Sequence, residues 1–198
     1  MPEVLKQRLS DCPDLESVLA SALSIGLELS GTGLGNIQLM DPSARYLTIA
    51  AQCGFNDEFL NFFRRVRAFD GSACGRAIRM RRPIVIGDVL VDSEFAPCRG
   101  IALKAGFRAV QSFPLVSSEG SLLGVLSTHF STTRRPVDSE MLIMQRLAEL
   151  TAETIAHQRA RAQSINGAGH LTEQVKQGHD ATERFDDLIG CIARKPEP

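Results

Sequence analysis

The sequence predicts an α+β fold, an antiparallel sheet with the first and last long helices on one face and short helices and loops on the other. Three observations predict it. Residues 109–131, AVQSFPLVSSEGSLLGVLSTHFS, read as two apolar strands joined by a short polar turn, a hairpin at the centre of the fold. Two stretches with helical spacing of apolar residues stand on either side, at 14–30 and 138–163. Between the first of these and the central hairpin lie a second strand pair and several short helical segments, an order that suits one layered α+β domain.

Taken in order, residues 14–30 place Leu15, Val18, Leu19, Ala22, Ile25, Gly26 and Leu29 on one stripe, with Pro13 and Asp14 at the first turn and Gly31 at the stop. Gly31, Gly33 and Gly35 form a loop, since a phosphate-binding loop would need a lysine and a following helix. Residues 36–40 and 46–52 read as strands around the turn Asp41-Pro42-Ser43. Residues 56–66 read as a short amphipathic helix with Phe59, Leu60, Phe62 and Phe63 on its apolar side. Ser72 is the expected N-cap of a helix that Pro83 ends. Residues 84–86 form a short strand, and 88–95 and 100–105 are loop with helical turns. In the central hairpin, Pro114 calls for a sheet edge or a bulge, and Gly124 marks a close approach to the backbone. The last helix begins near Asp138, carries Met141, Met144, Leu147, Ala148, Thr151 and Ile155 inward, and is expected to end by Gln163. Ser164 to His170 should break it, leaving 164–198 as a linker and a weakly helical tail.

At 198 residues with 43% hydrophobic content the chain can bury one ordinary core. A formal net charge of −1 gives no long-range field, so nucleic acid and membrane surfaces are not expected partners. No window approaches the ~18 apolar residues of a membrane span, and the N-terminus lacks a signal-peptide run, which points to a cytoplasmic protein. Five cysteines at irregular spacings, none in a CxxC pair, are expected to be thiols rather than a disulfide framework.

The loop-built face of the sheet is where a ligand pocket is expected. Ser127 and His129 share one side of their strand by alternation, opposite Leu126, Thr128 and Phe130. A histidine there suits a hydrogen bond to a ligand or coordination of haem iron. Gln111 and Ser112 lie on opposite sides of the neighbouring strand, so one of them faces the pocket. Asp88 caps the turn after the short strand and is a candidate ligand contact. Cys74 falls in the first helical turn after Ser72, where free N–H groups and the helix dipole favour a thiolate, with Arg76 and Arg79 adding positive charge. Cys98 lies in a loop expected to cross the pocket.

Five segments in order carry a family resemblance: ACGRAI (73–78), PIVIGDV (83–89), AVQSFPLV (109–116), LLGVLSTHF (122–130) and RRPVDSEM (134–141). Together they resemble the GAF domain, of the branch associated with bacterial sensor histidine kinases, over residues 12–163. The resemblance implies a small-molecule-sensing module and a homodimer through the terminal helices. No phospho-acceptor helix or ATP-binding boxes follow residue 163, so the resemblance implies either output through a partner in trans, such as a histidine kinase, or a stand-alone sensor. The bilin-type Cys-His pair and the cyclic-nucleotide signature of other GAF domains are absent, and no cofactor is indicated.

The cysteines also resemble those of the free methionine-R-sulfoxide reductases, which are GAF-fold enzymes. That likeness implies Cys98 as nucleophile and Cys74 as resolving thiol. The chain departs from those enzymes in having Ser127 and His129 where they have acidic residues, and Arg64 where they have a further cysteine. Three functions are therefore expected to compete: a non-enzymatic sensory module in two-component signalling, a thiol-dependent reductase, and a dimerisation platform with a filled pocket.

Overall fold

A computed structural model describes residues 2–43 and 45–168. The elements are α1 (Pro2–Ser10), α2 (Leu15–Ser30), β1 (Leu34–Met40), β2 (Leu47–Cys53), α3 (Asp57–Phe62), α4 (Ala73–Met80) and β3 (Ile84–Ile86). A single 3₁₀ turn at Ala96–Cys98 leads into α5 (Arg99–Lys104), followed by β4 (Ala109–Val116), β5 (Leu122–Phe130) and α6 (Asp138–Ala168). The five strands form one antiparallel sheet in the order β2-β1-β5-β4-β3, with the central hairpin near its middle.

Local chemistry sets the helix ends. The Asp14 carboxylate accepts the Ser17 N–H at 2.8 Å and starts α2. Gly31, at φ 64°, ends it in a left-handed turn, with the Thr32 N–H returning to the Leu27 carbonyl at 3.2 Å. Ser72 caps α4 by accepting the Gly75 N–H at 3.0 Å.

The hairpin explains its two unusual residues. Pro114 opposes Val125 beyond the end of β3, whose pairing with β4 stops at Ser112, so no neighbour requires its missing N–H. A register shift follows between Leu115 and Val116. A Cβ at Gly124 would lie 2.2 Å from the Gln38 carbonyl oxygen, so β1 can approach β5 only because glycine is there.

Three elements differ from expectation. α1 was not anticipated; Leu5 and Leu9, one turn apart, are buried and join the core shared with α6. The helix expected over 56–66 stops at Phe62, and Val66 instead exchanges backbone hydrogen bonds with Leu47 at 2.8 and 3.0 Å. Helix α6 runs past Gln163 to Ala168, through the predicted break at Ser164 and Gly167. One glycine costs a growing helix only about 1 kcal/mol, while each residue added keeps its hydrogen bond. The tail expected beyond residue 168 lies outside the described residues.

The sheet separates two cores. On one face α2 and α6 pack together, and Leu23, Ile25, Ile37, Leu126, Leu147 and Ile155 fill a mainly aliphatic layer around Phe113. On the other face α3, α4, α5 and their loops enclose Phe55, Phe59, Phe63, Phe95 and Phe107. Cross-strand pairing sorts the side chains between them. The row Ile37–Leu126–Phe113 faces the helices, and the adjacent row Asn36–Ser127–Ser112 faces the aromatic layer.

Candidate functional site

The aromatic layer closes over a small cavity. Its floor is the polar row of the sheet: Asn36 and Gln38 of β1, Ser112 of β4, and Ser127 and His129 of β5. Its roof is Phe59, Phe63, Phe95 and Phe107, with Ser72, Ala73 and Cys74 from the start of α4. The space left among them is about 10 Å³, room for a single water. Among the described residues, no aspartate, glutamate, lysine or arginine lines it.

The polar floor is only partly paired. Ser112 and Ser127 hydroxyls meet at 2.7 Å, and the Gln38 amide nitrogen donates to the Phe63 carbonyl at 3.5 Å. Asn36 Oδ1, Gln38 Oε1 and His129 Nδ1 are buried without a hydrogen-bond partner. Three such groups around one cavity are notable, because an unpaired buried polar atom costs about 1–3 kcal/mol.

His129 sits in a box of ring edges, its centroid 4.6 Å from Phe107, 4.9 Å from Phe55 and 5.9 Å from Phe59. Burial pushes its pKa from the usual 6.5 down to about 3, an effect that the Leu34 backbone beside the ring opposes only in part. The imidazole is therefore neutral at physiological pH. The present cavity has no room for a porphyrin beside it.

The cysteines do not carry the charge state expected of them. Burial pushes the Cys74 thiol up to about 12, outweighing the Ser72 hydrogen bond, while the Asp70 carboxylate raises it further. The Cys98 thiol is also pushed up to about 12, first by burial and then by Asp70 and Cys74. Arg76 and Arg79 are engaged elsewhere, by Asp92 at 2.9 Å and Glu94 at 2.5 Å respectively. Desolvation thus defeats the dipole of a two-turn helix, and neither residue rests as a thiolate. Cys12, Cys74 and Cys98 are free thiols, and Cys191 lies outside the described residues.

Of the residues singled out in the sequence, the fold gathers Cys74, Ser112, Ser127 and His129 at the cavity. It sends Gln111 to the other face of the sheet, where Nε2 donates to Thr128 at 2.9 Å and Ser30 at 3.2 Å. Cys98 is buried with its sulfur 3.9 Å from the Asp70 carbonyl, outside the cavity lining. Asp88 is held by Arg108 at 2.8 Å and accepts the Leu90 N–H, as a turn cap should. It borders a different, solvent-open depression of about 790 Å³ along β3. Asp92 there is paired with Arg76 and Arg134 with Glu140, while Arg135 also lines the depression. Sequence reasoning missed Asn36 and Gln38. Their alternation with Ile37 and Leu39 was visible, but polar alternates of a strand ordinarily face water.

Fold and cavity together define an α+β domain with a closed, polar-floored cavity on one face of its sheet, and comparison with known proteins gives its family. The chain belongs to the GAF domain family, whose model matches residues 12–156. A curated relative, the methyl sulfide methyltransferase-associated sensor of Methanosarcina acetivorans, is 24% identical over 192 residues. That match takes in 96% of this chain and 18% of the relative, so the chain spans under a fifth of that sensor's length. Among solved structures, the GAF domain of a phosphoenolpyruvate-protein phosphotransferase from Coxiella burnetii superposes with a TM-score of 0.69 at 19% identity, covering 82% of this chain and 94% of that one. A domain of a candidate two-component sensor histidine kinase from Sinorhizobium meliloti gives 0.60 at 21%, covering 77% and 96%. The free methionine-R-sulfoxide reductase of Neisseria meningitidis gives 0.67 at 21%, covering 81% and 89%. At these identities the structures share the fold.

Proposed function

We propose that the chain is a non-enzymatic sensory module that binds a small molecule in the cavity beneath Phe59, Phe63, Phe95 and Phe107. It passes the change along α6 to a partner in trans, in two-component signalling in the cytoplasm. The observation that carries this reading is the set of three unpaired polar atoms, on Asn36, Gln38 and His129, around one cavity. Buried polar atoms are ordinarily paired, so these three call for a partner from outside the chain, a small molecule or the one water the closed cavity can hold. The far end of α6 supports the output half, since residues 160–163 are exposed on a continuous helix that a partner or a second copy can engage as a homodimer. Among the described residues no helix is long and apolar enough to cross a membrane.

Native mass spectrometry of the protein as purified, with thermal-shift screening against a metabolite set, tests the reading. A bound small molecule or a stabilising compound supports it; a bare protein that nothing stabilises contradicts it. The near-filled cavity favours a second reading, a regulatory platform that uses its own rings as the ligand, and the same screen separates the two.

The reductase alternative is tested by turnover of free methionine-R-sulfoxide with a coupled thiol reductant, and none is expected. Raised pKa values and burial predict that Cys74 and Cys98 alkylate at least ~100-fold more slowly at pH 8 than in the urea-unfolded chain. Equal rates would contradict their placement.

A further inference from the structure

The lining of the cavity restricts what can bind there, and the restriction is chemical. Asn36, Gln38 and His129 are 3%, 0% and 6% exposed, so bulk solvent does not touch their unpaired atoms, and the closed cavity offers them at most one internal water. The orientation of Gln38 follows from its neighbour: the Phe63 carbonyl can only accept, so the amide nitrogen turns toward it and Oε1 is left as an acceptor. Asn36 offers a second amide, beside Ser127 in the cross-strand row. His129 Nδ1 offers one further hydrogen-bonding atom on a neutral ring. The lining holds no charged side chain, so an ionised guest would lose its hydration without a counter-charge. The remaining walls are phenylalanine rings, which pack best against a flat partner.

We propose that the ligand is an uncharged planar amide or lactam that donates an N–H to Gln38 and exchanges donor and acceptor with Asn36 or His129. This rests on the reading of the cavity as a ligand site. Binding requires Phe59 and Phe63 to swing away, because the closed cavity holds only about 10 Å³. Both rings belong to the short α3 segment and its C-cap, which contributes no strand to the sheet. The guest therefore replaces ring packing over the polar row with its own ring and hydrogen bonds.

Matched neutral and anionic probes test this on the full chain by isothermal titration calorimetry at neutral pH. Nicotinamide is compared with nicotinate, and uracil with orotate. In at least one pair the neutral member is expected to bind about tenfold or more tightly than its anion, and Gln38→Leu to weaken that binding about tenfold or more. Asn36→Leu serves as an independent variant should Gln38→Leu lose its native circular dichroism. An anion that binds as tightly as its neutral partner overturns the ligand class and leaves the ligand-site reading standing. Neutral binding that both leucine variants retain overturns the assignment of these polar atoms. Silence from all four probes overturns the class, and a bare native mass spectrum beside that silence removes the ligand-site reading as well.

Discussion

Strand β5 carries buried polar side chains on both of its faces, and the two faces treat them differently. On the helix side, Thr128 receives the Gln111 amide at 2.9 Å and meets the Ser30 hydroxyl at 3.3 Å, joining β4, β5 and α2 in one network. On the aromatic side, one residue along, His129 keeps Nδ1 unpaired, and Asn36 and Gln38 of the adjacent strand each keep an unpaired oxygen. Burial is similar, but satisfaction is not. Polar groups the chain completes for itself fix how its layers dock; the groups it leaves incomplete at the cavity are the ones the proposed guest would complete.

The largest effect is expected on the helix face, where packing carries stability. Leu126→Ala empties a fully buried position between α2, α6 and the sheet. It should cost about 2–5 kcal/mol in urea unfolding. A loss under about 1 kcal/mol would show that this face is not the main core.

The next test sharpens the aromatic face through pH. The folded state binds the His129 proton only near pH 3, whereas the unfolded chain binds it near 6.5. Stability is then full above about pH 6.5 and declines as pH falls, with the unfolded state taking up the proton first. Asp14, Glu28, Asp88 and Asp92 are held below the usual carboxylate range, so they add to the loss only at lower pH. Between pH 6.5 and about 4.5 the slope belongs mainly to His129, and His129→Phe should flatten it in urea midpoints. An unchanged slope would mean the imidazole is not buried neutral.

A smaller effect is expected from Thr128→Val, which leaves a Gln111 N–H short of its acceptor on the satisfied face. About 1–3 kcal/mol should be lost. The smallest belongs to Lys104→Ala at the ion pair with Glu58, whose side chains are 63% and 54% exposed. It should move stability by less than about 0.5 kcal/mol.

The sequence made most of this fold readable because the relevant signals are local. Asp14, Gly31 and Ser72 act at helix ends through hydrogen bonds spanning at most a turn or so, and the 109–131 hairpin pairs within itself. Helix α1 escaped notice because Leu5 and Leu9 make no periodic stripe until α6 is beside them. The site was readable only in part for the same reason. Alternation correctly grouped Ser127 with His129, but choosing between Gln111 and Ser112 needed the register of β4 against β5. Asn36 and Gln38 became site residues only once β1 was known to be central and covered on both faces. The thiolate reading of Cys74 followed from its helix position and failed because the roof that desolvates it comes from elsewhere in the chain.

The measurement that bears most directly on the contrast between the faces is equilibrium urea unfolding of Asn36→Leu/Gln38→Leu against the wild type, without added ligand. Removing two unpaired oxygens, at the cost of the one long hydrogen bond from Gln38 to the Phe63 carbonyl, should change stability by no more than about 1 kcal/mol in either direction. A loss of more than about 2 kcal/mol would mean that these side chains are already satisfied in the folded chain, and the cavity would then be ordinary core.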